Sequence, residues 1–417
     1  MNKKIILVLV FGCGLLSATA QTISLDSILD QVQKSNPSLK MYDADIRAAD
    51  EAAKGARNWE APQIGTGFWM TPYNPRYWSK GDNGSFGMGQ YQVSAEQMIP
   101  NKKRLDADEK YLKAVSVPAI ERKKAMLNEL AAEAKKNYYE WIIDKKKLGV
   151  LSRDERLLNF MTQSAEIRYT NGAGKINAYY KVKAAIGNIQ NMQLVLENDI
   201  KQKRIVLNTL MNRDKSVEFD IDTVFAIKNY LTVAFDSTSF INTRSDIKAI
   251  QQDIQVNYLQ QNVEAAKLKP EFGVRFEHMF GFGGLPMQYS LLGTMKIPMA
   301  KWSSRASKAN IESLKWKVES LNQQKQVILN EATGIAYSIR GDMELKKKQI
   351  RLFDESIIPA LQKNFQTLQL AYEQNTEELF TLFDAWESLN MIQLEYLQQL
   401  QDLLILQTKF EKTLEIK

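Results

Sequence analysis

The chain has almost none of the side chains on which most catalytic and metal sites depend. Its 417 residues include one cysteine, Cys13, and one histidine, His278. If Cys13 is removed with the leader described below, disulfides, cysteine nucleophiles, thiolate metal sites and histidine clusters are all excluded. No nucleophile elbow or phosphate-binding glycine loop accompanies His278. The sequence therefore predicts a protein that is not an enzyme and that holds no cofactor or resident metal.

The first 20 residues have the features of a secretory signal peptide. A basic start, Met1-Asn-Lys-Lys, precedes an apolar run over residues 5–16, and Ala18-Thr-Ala20 forms a cleavage site before Gln21. The run is too short to span a membrane as a mature helix. Cys13 leaves one alternative open, in which the chain is cleaved before this cysteine and lipidated. Either way, the sequence predicts export from the cytoplasm.

The net charge of +7 does not indicate a nucleic-acid partner. The basic residues are interspersed with acidic ones along helical patterns, as in Arg153-Asp-Glu-Arg156. Such alternation is typical of solvated helix faces, whereas a nucleic-acid site needs a continuous basic stripe. We therefore expect no nucleic-acid binding.

A duplication runs through most of the chain. The segment Pro62-Gln-Ile-Gly-Thr-Gly-Phe68 has a near copy in Pro270-Glu-Phe-Gly-Val-Arg-Phe276. In both copies a helical pattern comes before, and a second extended segment that ends at Pro100 or Pro298 comes after. A basic cluster then opens a long helical pattern. The predicted division is a signal peptide (1–20), a first repeat (21–212), an equatorial connector (213–243) and a second repeat (244–417).

The extended segments predict membrane strands. Phe272, Val274, Phe276, His278 and Phe280 alternate with polar residues and glycine, and each strand has roughly 10 residues, enough to cross a bilayer when tilted. Four strands per chain cannot close a barrel, for which about eight is the practical minimum. An open edge in lipid would leave backbone groups unsatisfied. Some oligomer must therefore close the sheet, and three chains give twelve strands, an even number that is wide enough for a water-filled lumen. The predicted assembly is a homotrimer with a 12-stranded outer-membrane β-barrel.

The helical patterns predict a hollow bundle of coiled-coil pairs that continues the barrel. Two long patterns cover 101–170, with a kink expected at Pro118, and 299–374, and return helices cover 176–211 and 379–415. Apolar residues of the second long pattern step by threes and fours, which is typical of a coiled-coil seam. The predicted seam consists of Ile311, Leu314, Val318, Leu321, Ile328, Ala332, Ile335 and Ile339. Together with the strands, these helices predict an α+β membrane protein.

Four short motifs, in this order and duplicated, resemble the TolC-type outer-membrane efflux family along essentially the whole mature chain. They are Leu25-Asp-Ser-Ile-Leu29…Asn36-Pro37, Gln97-x-x-Pro100, Tyr169-x-x-Gly172, and Tyr372-Glu-Gln-Asn375…Leu382-Phe-Asp384-Ala385. The resemblance implies a trimeric duct in the outer membrane with a helical extension in the periplasm. It also implies docking, through a periplasmic adaptor (membrane fusion) protein, to an inner-membrane pump of the resistance-nodulation-division type.

The same resemblance implies two groups of site residues. Gly172 and Asn375, at the helix tips, are expected to contact the adaptor, although the family usually has glycine where this chain has Asn375. Asp384 is expected to form a periplasmic gate together with Glu377 and Glu378. Thr381 occupies a position at which the family often carries a second acidic residue.

Aromatic and methionine residues leave further interpretations open. Trp69, Tyr73, Tyr77 and Trp78 flank the first strand and indicate an aromatic belt at the membrane interface, with a buried core cluster as the alternative. Methionines are concentrated in the strands and loops. They could be Cu(I) ligands along an export path for metal ions, or packing residues. In the last extended segment, Tyr289, Leu291, Met295 and Ile297 alternate with Gln288, Ser290, Thr294 and Lys296, so Met295 should face lipid.

The cargo could thus be drugs or metal ions. An exit duct for type I protein secretion is the alternative within the same fold, and a soluble periplasmic coiled-coil scaffold is the alternative outside it.

Overall fold

A computed structural model of the protein describes residues 22–172 and 175–416. The predicted signal peptide and Cys13 lie outside the described residues. The helices are α1 (Leu25–Ser35), α2 (Pro37–Lys54), α3 (Lys102–Ala114), α4 (Val117–Thr170), α5 (Ile176–Leu210), α6 (Ser237–Thr243), α7 (Ser245–Ala266), α8 (Lys301–Leu352), α9 (Ile358–Glu373) and α10 (Leu379–Leu414). The strands are β1 (Thr22–Ile23), β2 (Gln63–Trp69), β3 (Gln90–Ile99), β4 (Asp220–Ile221), β5 (Glu271–Gly281) and β6 (Gln288–Lys296).

The described chain forms two compact units. The sheet unit comprises residues 38–128, 234–337 and the C-terminal residues from 413, and the helical unit comprises 22–37, 129–233 and 338–412. Each unit contains segments from both sequence repeats. The two compact units therefore do not coincide with the two repeats. Within the described residues, no helix combines the length and the apolar composition needed to cross a membrane.

The sheet unit contains the four predicted strands in one antiparallel sheet of order β2-β3-β5-β6. The register places Phe276 beside Ala95 on one side and Leu291 on the other, and Glu277 beside Ser94 and Ser290. Since side chains alternate along a strand, this register gives the sheet two different faces. The predicted strands and their alternation are confirmed.

One face is apolar and exposed; the other is polar. The apolar face carries Ile64, Phe68, Tyr91, Val93, Ile99, Phe272, Phe276, Tyr289, Leu291 and Met295. The polar face carries Gln90, Gln92, Ser94, Glu96, Arg275, Glu277, Gln288, Ser290 and Thr294. Leu291 is 68% exposed, and β2 and β6 are edge strands within the described residues. This arrangement is unusual for a sheet in water, where the apolar face is normally covered.

Two prolines interrupt the long helices, and only one of the interruptions was predicted. α3 ends at Ala114 and α4 begins at Val117, directly before Pro118, where the kink was expected. The predicted helix over 299–374 is not continuous, because residues 353–357 form a π turn before Pro359. Pro359 has no N–H for the usual bond to the fourth residue back. The backbone hydrogen bonds there reach five residues back instead of four, and Ile358 N–H bonds to Phe353 O.

The buried seam of α8 also differs from the predicted one beyond Lys325. Its buried residues are Val318, Leu321, Leu329, Ala332, Ala336, Ile339 and Met343. Ile335, predicted to lie in the seam, is 50% exposed, and Ile328 is half-buried. The predicted seam steps by three residues from Lys325 to Ile328, whereas the buried seam steps by four, from Lys325 to Leu329. This difference moves the seam by one residue around the helix. Such a step changes the local winding of a coiled coil.

The helical unit is held together by apolar packing and by a buried charge cluster. α4 packs on α10 through Ile143, Val150, Leu397, Leu400 and Leu404. Two connector residues contact this region: Phe225 packs against the same cluster, and the ring of Phe219 lies 5.2 Å from that of Trp141. Burial alone would raise the pKa of Glu411, but its pKa is lowered overall by ion pairs with Lys135 and Lys228 and by the Tyr230 hydroxyl. β1 and β4, which the sequence pattern did not show, pair in parallel, with Thr22 opposite Asp220 and Ile23 opposite Ile221.

Candidate functional site

The two predicted tips are tight turns that end α4 and α9 in the helical unit. Gly172 has φ +71° and Asn375 has φ +61°, so both adopt the left-handed conformation. Gly172 N–H donates to Tyr169 O at 3.0 Å, and Asn375 N–H donates to Tyr372 O at 3.1 Å. At the second tip Thr376 N–H also bonds to Ala371 O at 2.9 Å, which completes a Schellman cap. Asparagine can replace glycine here because it tolerates this conformation better than most residues.

One arginine links the two tips, and the sequence analysis did not single it out. Arg168, near the end of α4, donates from Nη2 to Tyr372 O at 2.7 Å. Its guanidinium carbon lies 3.9 Å from the centre of the Tyr372 ring, a cation–π contact. The Tyr372 hydroxyl lies 2.9 Å from Ser164 Oγ. Tyr372 is 3% exposed whereas its repeat counterpart Tyr169 is 47% exposed, so the first hairpin braces the second.

Behind the tips, the four helices α4, α5, α9 and α10 share one apolar core. It consists of Leu151, Leu158, Met161, Ala165, Val182, Ile189, Tyr372, Leu379, Leu382, Phe383 and Trp386. The motif Leu382-Phe383 therefore points into the core, and the next residue, Asp384, is exposed on the opposite side. This packing fixes the position of both turns relative to each other.

The predicted acidic residues are exposed, but two of them already have basic partners. Asp384 Oδ1 lies 2.7 Å from Lys181 Nζ, and Glu378 Oε1 lies 3.4 Å from Lys175 Nζ. Lys181 also lies over the Phe380 ring, 3.8 Å from its centre. Glu377 is exposed, as is Thr381. Among the described residues, no group of three acidic, histidine or cysteine side chains could hold a metal ion.

These two ion pairs join equivalent positions of the repeats. Lys181 follows Gly172 by nine residues, as Asp384 follows Asn375. Lys175 and Glu378 each follow their turn residue by three. The repeat alignment could thus have found both partners, because matching positions on two packed hairpins come close to each other. The family resemblance had indicated only the acidic residues, Asp384 and Glu378.

The structure brings Glu377 and Glu378 together with the turns but leaves Asp384 farther along α10. An open pocket between the turns is lined by Arg168, Gly172, Lys175, Asn375, Glu377 and Glu378, among others. It therefore combines both charge signs with exposed backbone at two turns. Such a surface suits a polar partner segment better than an apolar one.

A further carboxylate of the helical unit, Asp154, was not among the residues predicted from the sequence. Asp154 lies on α4, and its Oδ2 atom is buried without a well-formed hydrogen bond among the described residues. Burial raises the pKa of Asp154 to about 6, and the Trp386 indole and Arg153 offset only part of that effect. The sequence around Asp154 does not indicate its raised pKa, because Trp386, which lies beside it, belongs to α10.

The four predicted interface aromatics have different surroundings at the end of the sheet. Trp78 stacks on Phe282 at 5.3 Å between ring centres and lies 5.8 Å from Phe68. Tyr73 and Tyr77 are exposed. Trp69 is in register with Gln90, which places it on the polar face. Of the methionines, Met295 pairs with Phe272 on the apolar face, whereas Met98 lies on the polar face.

Comparison with known proteins is consistent with these features. The outer membrane efflux protein family matches residues 28–213. No curated protein matches the chain in sequence. The fold is similar to the outer-membrane channel OprN (TM-score 0.75, 14% identity, 94% of this chain and 89% of that one). It is also similar to VceC from Vibrio cholerae (0.71, 14%, 94% and 95%) and to the CmeC outer membrane channel from Campylobacter jejuni (0.73, 12%, 94% and 85%). The predicted resemblance is confirmed.

Proposed function

We propose that this chain, whose residues 28–213 match the outer membrane efflux protein family, is the outer-membrane duct of a tripartite efflux system. It conducts drugs or metal ions passively and leaves the energy-consuming step to an inner-membrane pump. The observation that carries the proposal is the sheet with one exposed apolar face and one polar face. Lipid suits the first face, and a water-filled lumen suits the second.

The edges of the sheet support a trimer. β2 and β6 have one hydrogen-bonded neighbour each within the described residues, so one side of each strand lacks partners. In lipid an unsatisfied backbone group costs several kcal/mol. Pairing β6 of one copy with β2 of the next removes these edges, and three copies supply twelve strands. The unusual exposure of the apolar face is then explained by the bilayer.

The helix tips support an adaptor contact. Gly172 and Asn375 present turns whose polar surroundings include Glu377, Glu378 and Lys175. These groups can bind a polar segment of a periplasmic adaptor without burying an isolated charge. The helices occupy the periplasm in this proposal, and the pump selects the cargo.

Assembly and conduction test the proposal together. The mature protein, purified in detergent, should be a trimer and should form conducting channels in planar bilayers. Crosslinking in cells should recover an adaptor and a pump, and the pump type separates drug, metal and protein export. A stable monomer with full β content, or recovery in the periplasmic fraction without detergent, would contradict the proposal.

A further inference from the structure

The basic cluster that follows each pair of strands has no role in the duct described so far. Lys102 and Lys103 open α3, and Lys301 and Arg305 lie in the first turns of α8. All four side chains are exposed. Within residues 22–172 and 175–416, none of them lies within 4.0 Å of a carboxylate, although the sheet unit holds many ion pairs. Both repeats therefore keep unpaired cations at the same point of the chain.

These cations lie where the apolar face of the sheet ends. β3 ends at Ile99, on the apolar face, and α3 begins three residues later. After β6, the side chains of Ile297 and Met299 are exposed, and Trp302 is 87% exposed. A boundary of exposed tryptophan and cations beside an apolar surface is typical of the headgroup level of a bilayer. The neighbouring Arg104 is different, because it pairs with Glu271 at 2.5 Å.

The helices themselves do not need these charges. A cation near a helix N-terminus is repelled by the positive end of the macrodipole, so each one slightly destabilises its own helix. Lys102 and Lys103 are also adjacent in sequence and repel each other. An external anion would remove both unfavourable effects.

We propose that Lys102, Lys103, Lys301 and Arg305 bind the phosphate groups of anionic phospholipids in the leaflet that borders the helices. The inference rests on the proposed membrane insertion of the sheet. Phosphate oxygens accept hydrogen bonds from lysine and arginine, and each such cation at an anionic surface strengthens binding by about five-fold. Trp302 lies at the same level, with its ring between acyl chains and headgroups.

Lipid retention measured on the purified trimer tests this inference. The protein is placed in nanodiscs of phosphatidylcholine with a small fraction of phosphatidylglycerol, and the lipids that remain bound are measured by native mass spectrometry. We expect phosphatidylglycerol to be enriched around the wild type. The variant Lys102→Gln/Lys103→Gln/Lys301→Gln/Arg305→Gln should lose at least about ten-fold of this enrichment.

The control variant removes the same charge elsewhere. Lys113, Lys124, Lys315 and Lys348 are exposed lysines with carboxylate partners three or four residues away on their own helices. Their replacement by glutamine should leave the enrichment unchanged. The variant Lys102→Arg/Lys103→Arg/Lys301→Arg keeps every charge and should also retain it.

Four results would overturn the inference. Equal enrichment in the glutamine variant and the control would show that the four cations do not select lipid. Displacement of the lipid by inorganic phosphate at millimolar concentration would indicate a free-phosphate site instead. Failure of the wild type to enter nanodiscs at all would reject the proposed membrane insertion as well, whereas insertion without enrichment would reject only the lipid site.

Discussion

Two neighbouring carboxylates on α4 show how the environment sets the chemistry of single residues. Burial raises the pKa of Asp154 to about 6. Glu155, the next residue, accepts hydrogen bonds from Gln190 and Gln193 at 2.9 and 3.1 Å, and these lower its pKa. The two side chains point in different directions from one helix, so one meets the apolar core and the other meets α5. The pKa values of two adjacent carboxylates are therefore shifted in opposite directions, and their contributions to stability change with pH in opposite directions.

This contrast predicts the pH dependence of stability. The pKa of Asp154 is higher in the folded state than the usual value of 3.8, so folding favours the protonated form. Its contribution to stability is fully present below about pH 3.8 and is lost as the pH rises through about 6. Asp154→Asn should stabilise the protein at pH 8 by about 1–2 kcal/mol and have little effect at pH 4. Denaturant unfolding at both pH values measures this.

The control is Glu155→Gln. Because the pKa of Glu155 is lowered, its contribution is present above the ordinary pKa and is lost as the pH falls. This variant should be less stable than the wild type at pH 8. Stabilisation of both variants at pH 8 would show that general charge repulsion, and not the burial of Asp154, determines the response.

At the scale of elements, local sequence patterns account for some features and not for others. The helices, the four strands, the break before Pro118 and the turns at Gly172 and Asn375 follow from local patterns, so the sequence predicts them. The π turn before Pro359 has a local cause, the missing N–H of that proline, but the periodic pattern alone does not show it. The seam shift at Lys325 does not follow from a local pattern, because it depends on how a whole helix packs. The partners of Asp384 and Glu378 can be found only by aligning the two repeats. The partners of Tyr372 come from α4 and follow from no local pattern.

The turns predict two substitutions of opposite sign. Gly172→Val places a β-branched residue at φ +71°, which should destabilise the first turn by about 1–2 kcal/mol. Asn375→Gly relieves the smaller strain at φ +61° and should stabilise the second turn by up to about 1 kcal/mol. Hydrogen exchange of the backbone amides around each turn measures both. Unchanged adaptor crosslinking in Gly172→Val would count against a role of the first tip in docking.

The contacts of Arg168 with Tyr372 predict that a substitution on α4 changes the stability of the second turn. Arg168→Ala removes the cap on Tyr372 O and the contact with its ring, which together contribute about 1–3 kcal/mol. We expect faster hydrogen exchange at residues 371–376, although the substitution lies on α4. Arg168→Lys should restore the charge but not the planar stacking, so it should rescue the exchange rate only in part. No change at 371–376 in Arg168→Ala would show that the second turn is stable without the brace.

At the scale of the whole molecule, the duplication explains why oppositely charged residues meet at the tips. Lys181 and Asp384, and Lys175 and Glu378, are repeat counterparts that have acquired complementary charges. An ion pair between exposed side chains contributes little to stability. It does determine how much negative charge each copy presents. If the duct is a threefold assembly, the pairing sets the electrostatic potential of its periplasmic opening.

The charges around that opening determine how multivalent cations would block it. With Asp384 alone, three carboxylates around the axis would attract cations, but Lys181 at 2.7 Å offsets much of this charge. We expect block by multivalent cations to weaken in Asp384→Ala and to strengthen in Lys181→Ala, each on the order of ten-fold. Planar-bilayer conductance with the cation added on the side of the helix tips measures both. Lys183→Ala, which removes a charge two residues away, should change the block far less than Lys181→Ala. Equal block in all of these proteins would place the gate outside Asp384.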